Sequence, residues 1–101
     1  MLEIEEVKLV ATTILLDFWE KHKHSYFAQT FEINGFVTLN CRVEKDCFIF
    51  FEIILELRLR RKGIFTHIVS KLKNAGAYVI VEAPCHTMQT LCDRLGIETR
   101  D

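Results

Sequence analysis

The stretch Arg60-Arg61-Lys62-Gly63-Ile64-Phe65-Thr66 stands where a strand-like pattern, residues 48–59, gives way to a helical one, residues 64–72. A basic turn with a glycine between a strand and a helix is suited to bind an anion. The first turn of a helix carries backbone N–H groups without acceptors and a partial positive charge, to which Arg and Lys add formal charge. The sequence therefore predicts that a ligand would place a phosphate there. The alternative is a helix start with a solvated basic cluster.

The composition predicts one globular domain spanning residues 1–101. Of the chain, 50% is hydrophobic and 27% is charged, which suits a packed core rather than a disordered segment. The net charge of −1 does not favour nucleic acid or an anionic membrane as a partner. No apolar stretch reaches the roughly 20 residues of a membrane span. The acidic first residues do not resemble a signal peptide, so we expect a cytoplasmic protein.

The cysteines, at positions 41, 47, 85 and 92, are expected to be reduced thiols in the cytoplasm. They form no C-x-x-C pair, and the nearest alternative ligand set would combine Cys85 and His86 with Cys92 or with the histidines at 22 and 24. These spacings give a zinc site little support, so no metal is expected.

The first half of the chain predicts a helix followed by an antiparallel meander. Apolar residues at spacings of three and four indicate an amphipathic helix over about residues 5–21. Asn34-Gly35 predicts a two-residue turn between strands 26–33 and 36–43, because both of its central positions need positive φ. Residues 44–46 predict a second turn into a strand 47–59. The odd positions of that strand from 49 onward are all apolar and the even ones are mixed, so the odd face should be buried.

The second half predicts alternating helices and strands. A helix from residue 64 should end at Asn74-Ala75-Gly76, and residues 77–81 form a short apolar strand. Pro84 ends that strand, and a further helix over about residues 86–94 is stopped by Gly96. This order predicts a βαβα unit with a parallel strand pair and a right-handed crossover. The expected fold class is α+β, with an α/β/α-like arrangement.

Two motifs, in this order, resemble those of the GNAT superfamily of acyl-CoA-dependent N-acyltransferases. The essence of the family's pyrophosphate loop, [RQ]-x-x-G-x-[GA], aligns with residues 60–65, where Phe65 replaces the second small residue. The later pattern N-x-x-A-x-x-L-Y-E-K-L-G-F aligns without gaps with residues 85–97. Three positions of that pattern are kept, namely Leu91, Leu95 and Gly96. The resemblance covers about residues 26–98 and implies a short, partly degenerate member with a truncated GNAT fold.

The resemblance implies that the cofactor is acetyl-CoA or coenzyme A. Its pyrophosphate would lie on backbone N–H groups of the loop. Its pantetheine arm would enter between the strand 47–59 and the next parallel strand, 77–81, which family members hold apart. The cofactor-binding residues would be Leu55, Leu57, Arg60, Arg61, Lys62, Gly63, Ile64, Phe65, Thr66 and Cys85.

Acyl transfer to an amine requires a base for the amine and a proton donor for the departing thiolate. Glu52, in mid-strand on the mixed face, is the candidate base, although it could instead face solvent or pair with Arg42 or Arg58. The resemblance places Cys92 where many family members have the tyrosine that protonates the thiolate. A buried helix position is the other interpretation of Cys92. The predicted function is therefore that of an acetyl-CoA-dependent N-acetyltransferase.

A second hypothesis is a GNAT-like module without catalysis that serves in binding or structure, as in small virion or host-interaction proteins of tailed phages. The absent tyrosine favours it, and so does the expected absence of the family's C-terminal hairpin beyond Asp101. An incomplete sheet would leave an edge that a homodimer or another protein could cover. A third hypothesis, nucleic-acid contact through residues 58–62, is disfavoured by the slightly acidic net charge.

Overall fold

A computed structural model describes residues 2–101 as a mixed sheet of five strands with three helices packed against it. The elements are α1 (Ile4–His22), β1 (Tyr26–Thr30), β2 (Phe36–Glu44), β3 (Cys47–Leu55), a 3-10 turn (Leu57–Leu59), α2 (Ile64–Asn74), β4 (Tyr78–Glu82), α3 (His86–Leu95) and β5 (Glu98–Arg100). The strands lie side by side in chain order, with β1, β2 and β3 antiparallel and β3, β4 and β5 parallel. The predicted α+β class is confirmed. Within these residues, none of the helices is both long and apolar enough to cross a lipid bilayer.

Helix α1 agrees with the predicted helix to within one residue at each end. It begins with a capping box, in which the side chains of Glu3 and Glu6 accept hydrogen bonds from each other's backbone N–H groups. Trp19 Nε1 donates a hydrogen bond to the Ala75 carbonyl oxygen at 3.3 Å, which ties the end of α1 to the end of α2. The buried residues of the helix are Val7, Ala11, Thr12, Leu15, Phe18 and Trp19.

The turn at Asn34-Gly35 differs from the predicted hairpin turn. Phe36 N–H donates to the Ile33 carbonyl oxygen at 3.0 Å, so a β-turn is present, but of the two central residues only Gly35 has positive φ, at 99°. The ladder between β1 and β2 already ends at Thr30, so the predicted strand 26–33 is too long. Positive φ at the second central position alone is typical of a type II turn, whose twist does not match that of paired strands, and the two strands separate before they reach it.

The tight hairpin turn is instead Lys45-Asp46, where both residues have positive φ, at 40° and 72°. The pair Glu44↔Cys47 closes this hairpin between β2 and β3. The predicted position of the second turn is therefore confirmed. Two positive φ angles match the right-handed twist of the flanking strands, which keeps β2 and β3 paired up to the turn.

Strand β3 ends at Leu55 instead of the predicted residue 59, and both faces of its first half are buried, since Phe48, Ile49 and Phe50 are each 0% exposed. Phe48 and Phe50 face the helices, and the ring centroid of Phe48 lies 6.0 Å from that of Phe18 on α1. The ring of Phe50 lies 5.3 Å from that of Phe65 on α2. The predicted burial of the odd face therefore holds at Ile49, but the even positions Phe48 and Phe50, expected on the mixed face, are the ones that face the helices.

A β-bulge then reverses the alternation along β3. Residues 40 and 41 of β2 pair with Glu52 and Phe50, so Phe51 is left without a partner on β2. Beyond the bulge, the odd positions pack against the core as predicted, Ile53 among them. A single extra residue therefore explains why even positions meet the helices in the first half of the strand and odd positions meet them in the second.

All three helices lie on one face of the sheet. The crossovers β3-α2-β4 and β4-α3-β5 step in the same direction, and right-handed crossovers of parallel strands then place both helices on the same side. Gln89 on α3 bonds Thr99 on this face at 3.2 Å, and α1 packs beside α2. The fold is therefore two-layered, and the α/β/α-like arrangement is not observed. Strand β5 was not predicted, because three residues are too few to show an alternation.

Candidate functional site

Strand β3 continues past the end of its pairing with β4. Residues 47–50 pair with residues 78–81, whereas β3 runs on to Leu55 and stays paired with β2 over that length. On the side of β4, residues 51–55 therefore present a strand edge that no strand within residues 2–101 covers, and Arg60 Nε bonds only the last carbonyl oxygen, that of Leu55. Unpaired backbone N–H and C=O groups at such an edge can pair with the amide groups of a ligand.

The turn that follows β3 is held in place from two sides. Glu56 N–H donates to the Gly35 carbonyl oxygen at 2.9 Å, and Leu59 is buried against Gly35. Arg58 Nε donates to Glu56 Oε1 at 3.1 Å, and Arg58 also donates to the Leu2 carbonyl oxygen at 3.1 Å. These contacts fix the path of the chain from the open strand edge to the start of α2.

Helix α2 begins at an N-terminus that no side chain caps. Its N-cap, Gly63, has a left-handed φ of 77°, and Arg61 has a φ of 61°. Within residues 2–101, the backbone N–H groups of residues 64–66 have no acceptor. The buried side chains of Ile64 and Phe65 hold these groups in place. The result is a fixed set of free donors, as found where helices bind anions.

Lys8 adds a positive charge at this N-terminus that the sequence did not reveal. Its Nζ atom lies 4.0 Å from the position of a Cβ atom at Gly63 and 3.4 Å from Glu5 Oε1. Packing of α1 beside α2 brings it there. No local pattern could have identified Lys8, because its neighbours along the chain belong to an ordinary amphipathic helix.

The predicted loop residues form one continuous segment of the chain, which begins at Leu55 and ends in the first turn of α2. Arg60 Nε donates to the Leu55 carbonyl oxygen at 3.0 Å and so fixes the turn. Ile64 and Phe65 contribute backbone only, since their side chains belong to the core. The side chains that remain exposed are Leu57, Arg60, Arg61, Lys62 and Thr66.

A groove of about 250 Å³ leads away from this N-terminus between α2 and α3. It starts at Thr66 and passes Ser70 and Lys73 before it reaches Leu95. Lys73 Nζ donates to the Leu95 carbonyl oxygen at 3.5 Å, which closes the far end of the groove. Thr66, which carries one of the free N–H groups of α2, is among the residues that line the groove.

The candidate base Glu52 is exposed and lies on the sheet face opposite the helices. Asn40 Nδ2 donates to Glu52 Oε1 at 2.7 Å, while the Asn40 Oδ1 atom is buried and receives no hydrogen bond within residues 2–101. Neither of the expected arginine partners binds Glu52, because Arg42 contacts Glu44 and Glu82, and Arg58 contacts Glu56. Asn40 is a further polar group at this position that sequence reasoning missed.

The two candidate cysteines differ sharply in exposure. Cys92 is completely buried in the helical layer, and desolvation, with a smaller contribution from Asp93, raises the pKa of its thiol to about 11. Cys85 is the exposed N-cap residue of α3, at the same edge of the sheet as the start of α2. The structure does not bring Cys92 and Glu52 together, since they lie on opposite faces of the sheet.

Arg42 and Glu82 form a hydrogen-bonded ion pair on the sheet face opposite the helices. The Arg42 guanidinium crosses β3 to bond both Glu82 carboxylate oxygens and also bonds Glu44 Oε1 at 2.8 Å. Beneath it, Ile49 is 0% exposed although it faces away from the helices. These hydrogen bonds lower the pKa of Glu82 and raise that of Arg42.

Glu82→Gln is expected to lower the free energy of unfolding by about 1–2 kcal/mol at pH 7. Because Arg42 lowers the pKa of Glu82 below its ordinary 4.5, this stabilisation is present above about pH 4.5. It is lost as the pH falls through the folded-state value. Urea unfolding at several pH values should show the variant and the unmodified chain converging at low pH.

Glu98→Gln is the matched control for that measurement. Its carboxylate also accepts hydrogen bonds, from Tyr78 and Arg100, but all of them lie at the exposed surface. Solvent screens such pairs, so little change in stability is expected. Equal effects of the two substitutions would contradict the structural role of the Arg42–Glu82 pair.

Comparisons of the chain with known protein families, with curated proteins and with solved structures found no match. Among residues 2–101, no three His, Cys, Asp or Glu side chains are grouped so that they could hold a metal ion. The candidate site is therefore defined by the open edge of β3, the basic turn and the N-terminus of α2.

Proposed function

We propose that this chain binds an acyl-coenzyme A and transfers its acyl group to an amine, in the manner of GNAT acetyltransferases. One observation carries the proposal. The unpaired edge of β3 leads through a fixed basic turn directly to the uncapped N-terminus of α2. An acyl-coenzyme A has the matching chemistry along its length, with amide groups in the pantetheine arm followed by a pyrophosphate and a nucleotide.

Each part of such a ligand has a counterpart on the chain. The pyrophosphate would accept hydrogen bonds from the N–H groups of residues 64–66, with Lys8 and Lys62 supplying formal charge. The pantetheine amides would pair with the edge of residues 51–55. The nucleotide would occupy the groove that begins at Thr66.

The bound thioester would supply an activated acyl group, and the chain would handle the acceptor amine. The amine nitrogen forms a bond to the carbonyl carbon, the C–S bond breaks so that coenzyme A leaves as a thiolate that solvent can protonate, and the amine gives up a proton. Glu52 is proposed to accept that proton, because its exposed carboxylate is held by Asn40.

The second candidate function is that of a coenzyme A-binding module without catalysis. The burial of Cys92 favours it, since a thiol without access to the ligand cannot protonate a leaving thiolate. The position of Glu52 on the other face of the sheet favours it as well. Binding and turnover must therefore be measured separately.

We expect calorimetric titration of the full chain with acetyl-CoA to show micromolar binding that Gly63→Glu weakens by about 100-fold or more, because a carboxylate would stand where the pyrophosphate binds. The nearest atom to a Cβ atom at Gly63 lies at 4.0 Å, so the variant meets no clash and carries only the strain of its positive φ. Gly96→Glu is the matched control, with a φ of 70° against 77° and no atom within 4 Å. It should bind like the unmodified chain.

Release of free coenzyme A thiol in the presence of a panel of amines tests the catalytic part. We expect Glu52→Gln to lower turnover by about 10²-fold or more while leaving the acetyl-CoA affinity unchanged. If acetyl-CoA binds but none of the amines is acetylated, the result would support the coenzyme A-binding module without catalysis. Absence of binding at millimolar acetyl-CoA would refute both forms of the proposal.

A further inference from the structure

Strand β1 is an edge strand without the features that prevent edges from pairing. Its five residues, Tyr26–Thr30, are all exposed and include no charged residue and no proline, and its ladder with β2 has no bulge. The opposite edge, β5, has only three residues, two of which are charged. Natural proteins protect exposed edges with short strands and charges, so β5 is protected in a way that β1 is not.

The direction of the hydrogen bonds shows which residues of β1 have free backbone groups. Lys45 N–H donates to the Ser25 carbonyl oxygen at 3.3 Å, and Phe31 N–H donates to the Leu39 carbonyl oxygen at 2.8 Å. Odd residues on this segment therefore bond β2. Even residues, with Ala28 at the centre, direct their N–H and C=O groups outward.

We propose that β1 pairs antiparallel with β1 of a second copy of this chain, with Ala28 on the two-fold axis. In this register, Ala28 faces the partner subunit's Ala28, and Tyr26 faces the partner subunit's Thr30. Each of the three facing pairs exchanges two hydrogen bonds, so about six bonds satisfy every outward backbone group of both strands. The two sheets become one continuous sheet. This inference does not depend on the proposed function.

Polar and charged groups beyond the ends of β1 favour a second copy of this chain as the molecule that pairs with its edge. The same register places the exposed His24 opposite the partner subunit's Glu32, and symmetry repeats the pair. Lys45, whose Nζ lies 5.7 Å from the Tyr26 ring centroid, adds positive charge at the His24 end. Asp46, 3.3 Å from His24, is the acidic group already at that end. His24 of each copy thus lies where it can donate a hydrogen bond to the partner subunit's Glu32, with the positive charge of Lys45 nearby.

Apolar side chains beside the strand also favour pairing. Tyr26 is 65% exposed and Phe27 is 45% exposed, although Phe27 stacks on His22 with ring centroids 4.0 Å apart. A second strand laid along β1 would cover part of both rings. Exposed aromatic surface next to an unprotected edge is typical of an interface.

Analytical ultracentrifugation of the full chain from micromolar to submillimolar concentration tests the proposal. We expect a monomer–dimer equilibrium in the unmodified chain. Ala28→Glu and Ala28→Lys should each weaken it by about 100-fold, because like charges would face each other across the axis. An equimolar mixture of the two variants should recover the dimer. A monomer at every concentration, a dimer unaffected by either variant, or no recovery in the mixture would overturn the proposal.

Disulfide formation gives a second readout that does not depend on the charged variants. In a Cys85→Ser background, Ala28→Cys should oxidise to a covalent dimer, because facing Cα atoms about 5.5 Å apart suit a disulfide. Thr30→Cys is the matched control, since its two copies would be about 14 Å apart along the strands. Equal cross-linking of the two variants would contradict the register.

Discussion

Gly35→Ala is expected to lower the free energy of unfolding by about 3–5 kcal/mol, the sum of backbone strain and overpacking. Gly35 has a φ of 99°, which strains any residue with a side chain. A Cβ atom there would lie 2.6 Å from Leu59 Cδ1 and 3.2 Å from a methyl carbon of Val7. Because Leu59 anchors the turn after β3, the same substitution should loosen the candidate site. Chemical denaturation followed by circular dichroism measures the loss.

Gly76→Ala separates the loss due to backbone strain from the loss due to overpacking. Gly76 has a φ of 95°, almost that of Gly35, but no atom lies within 4 Å of its Cβ position. It should therefore lose only the strain contribution, about 1–2 kcal/mol. Equal losses in the two variants would show that the contact of Gly35 with Leu59 and Val7 is not tight.

Phe48→Ala is expected to cost about 3–5 kcal/mol, because it would leave a cavity at the centre of the aromatic core. Phe48 is 0% exposed, and its ring centroid lies 5.0 Å from that of Phe50, 6.0 Å from that of Phe18 and 6.4 Å from that of Trp19. The variant should unfold at a much lower denaturant concentration than the unmodified chain.

Leu57→Ala provides the comparison for that loss. Leu57 is 78% exposed, so its truncation should change the free energy of unfolding by less than about 0.5 kcal/mol. A small loss for Phe48→Ala would mean that the even positions of β3 do not face the helices.

Periodicity predicted the helices of this fold well, whereas strand details depended on features that periodicity does not contain. Helix α1 was predicted to within one residue at each end because its buried stripe is long. The change in the helix-facing side along β3 was not predicted, because it depends on the extra residue, Phe51, at the bulge. The tight turn was assigned to Asn34-Gly35 because Asn-Gly is the stronger local signal, yet Lys45-Asp46 adopts the two positive φ angles.

In the candidate site, too, residues that are neighbours in the chain could be predicted, whereas residues that folding brings in from elsewhere could not. The loop around Gly63 could be located from sequence, because its glycine, charges and strand-to-helix transition are neighbours in the chain. Lys8 and Asn40 could not, since packing of α1 and pairing of β2 with β3 bring them in. The separation of Glu52 from Cys92 was also hidden, because it depends on the bulge and on the side of the sheet that α3 occupies.

The central claim is that the open edge of β3 and the start of α2 together bind an acyl-coenzyme A. Titration of the ¹⁵N-labelled chain with acetyl-CoA, followed by amide chemical shifts, tests it most directly. We expect saturable shifts at residues 61–66 and 51–55, with residues 26–30 unaffected. Shifts confined to other surfaces, or none at millimolar acetyl-CoA, would contradict the claim.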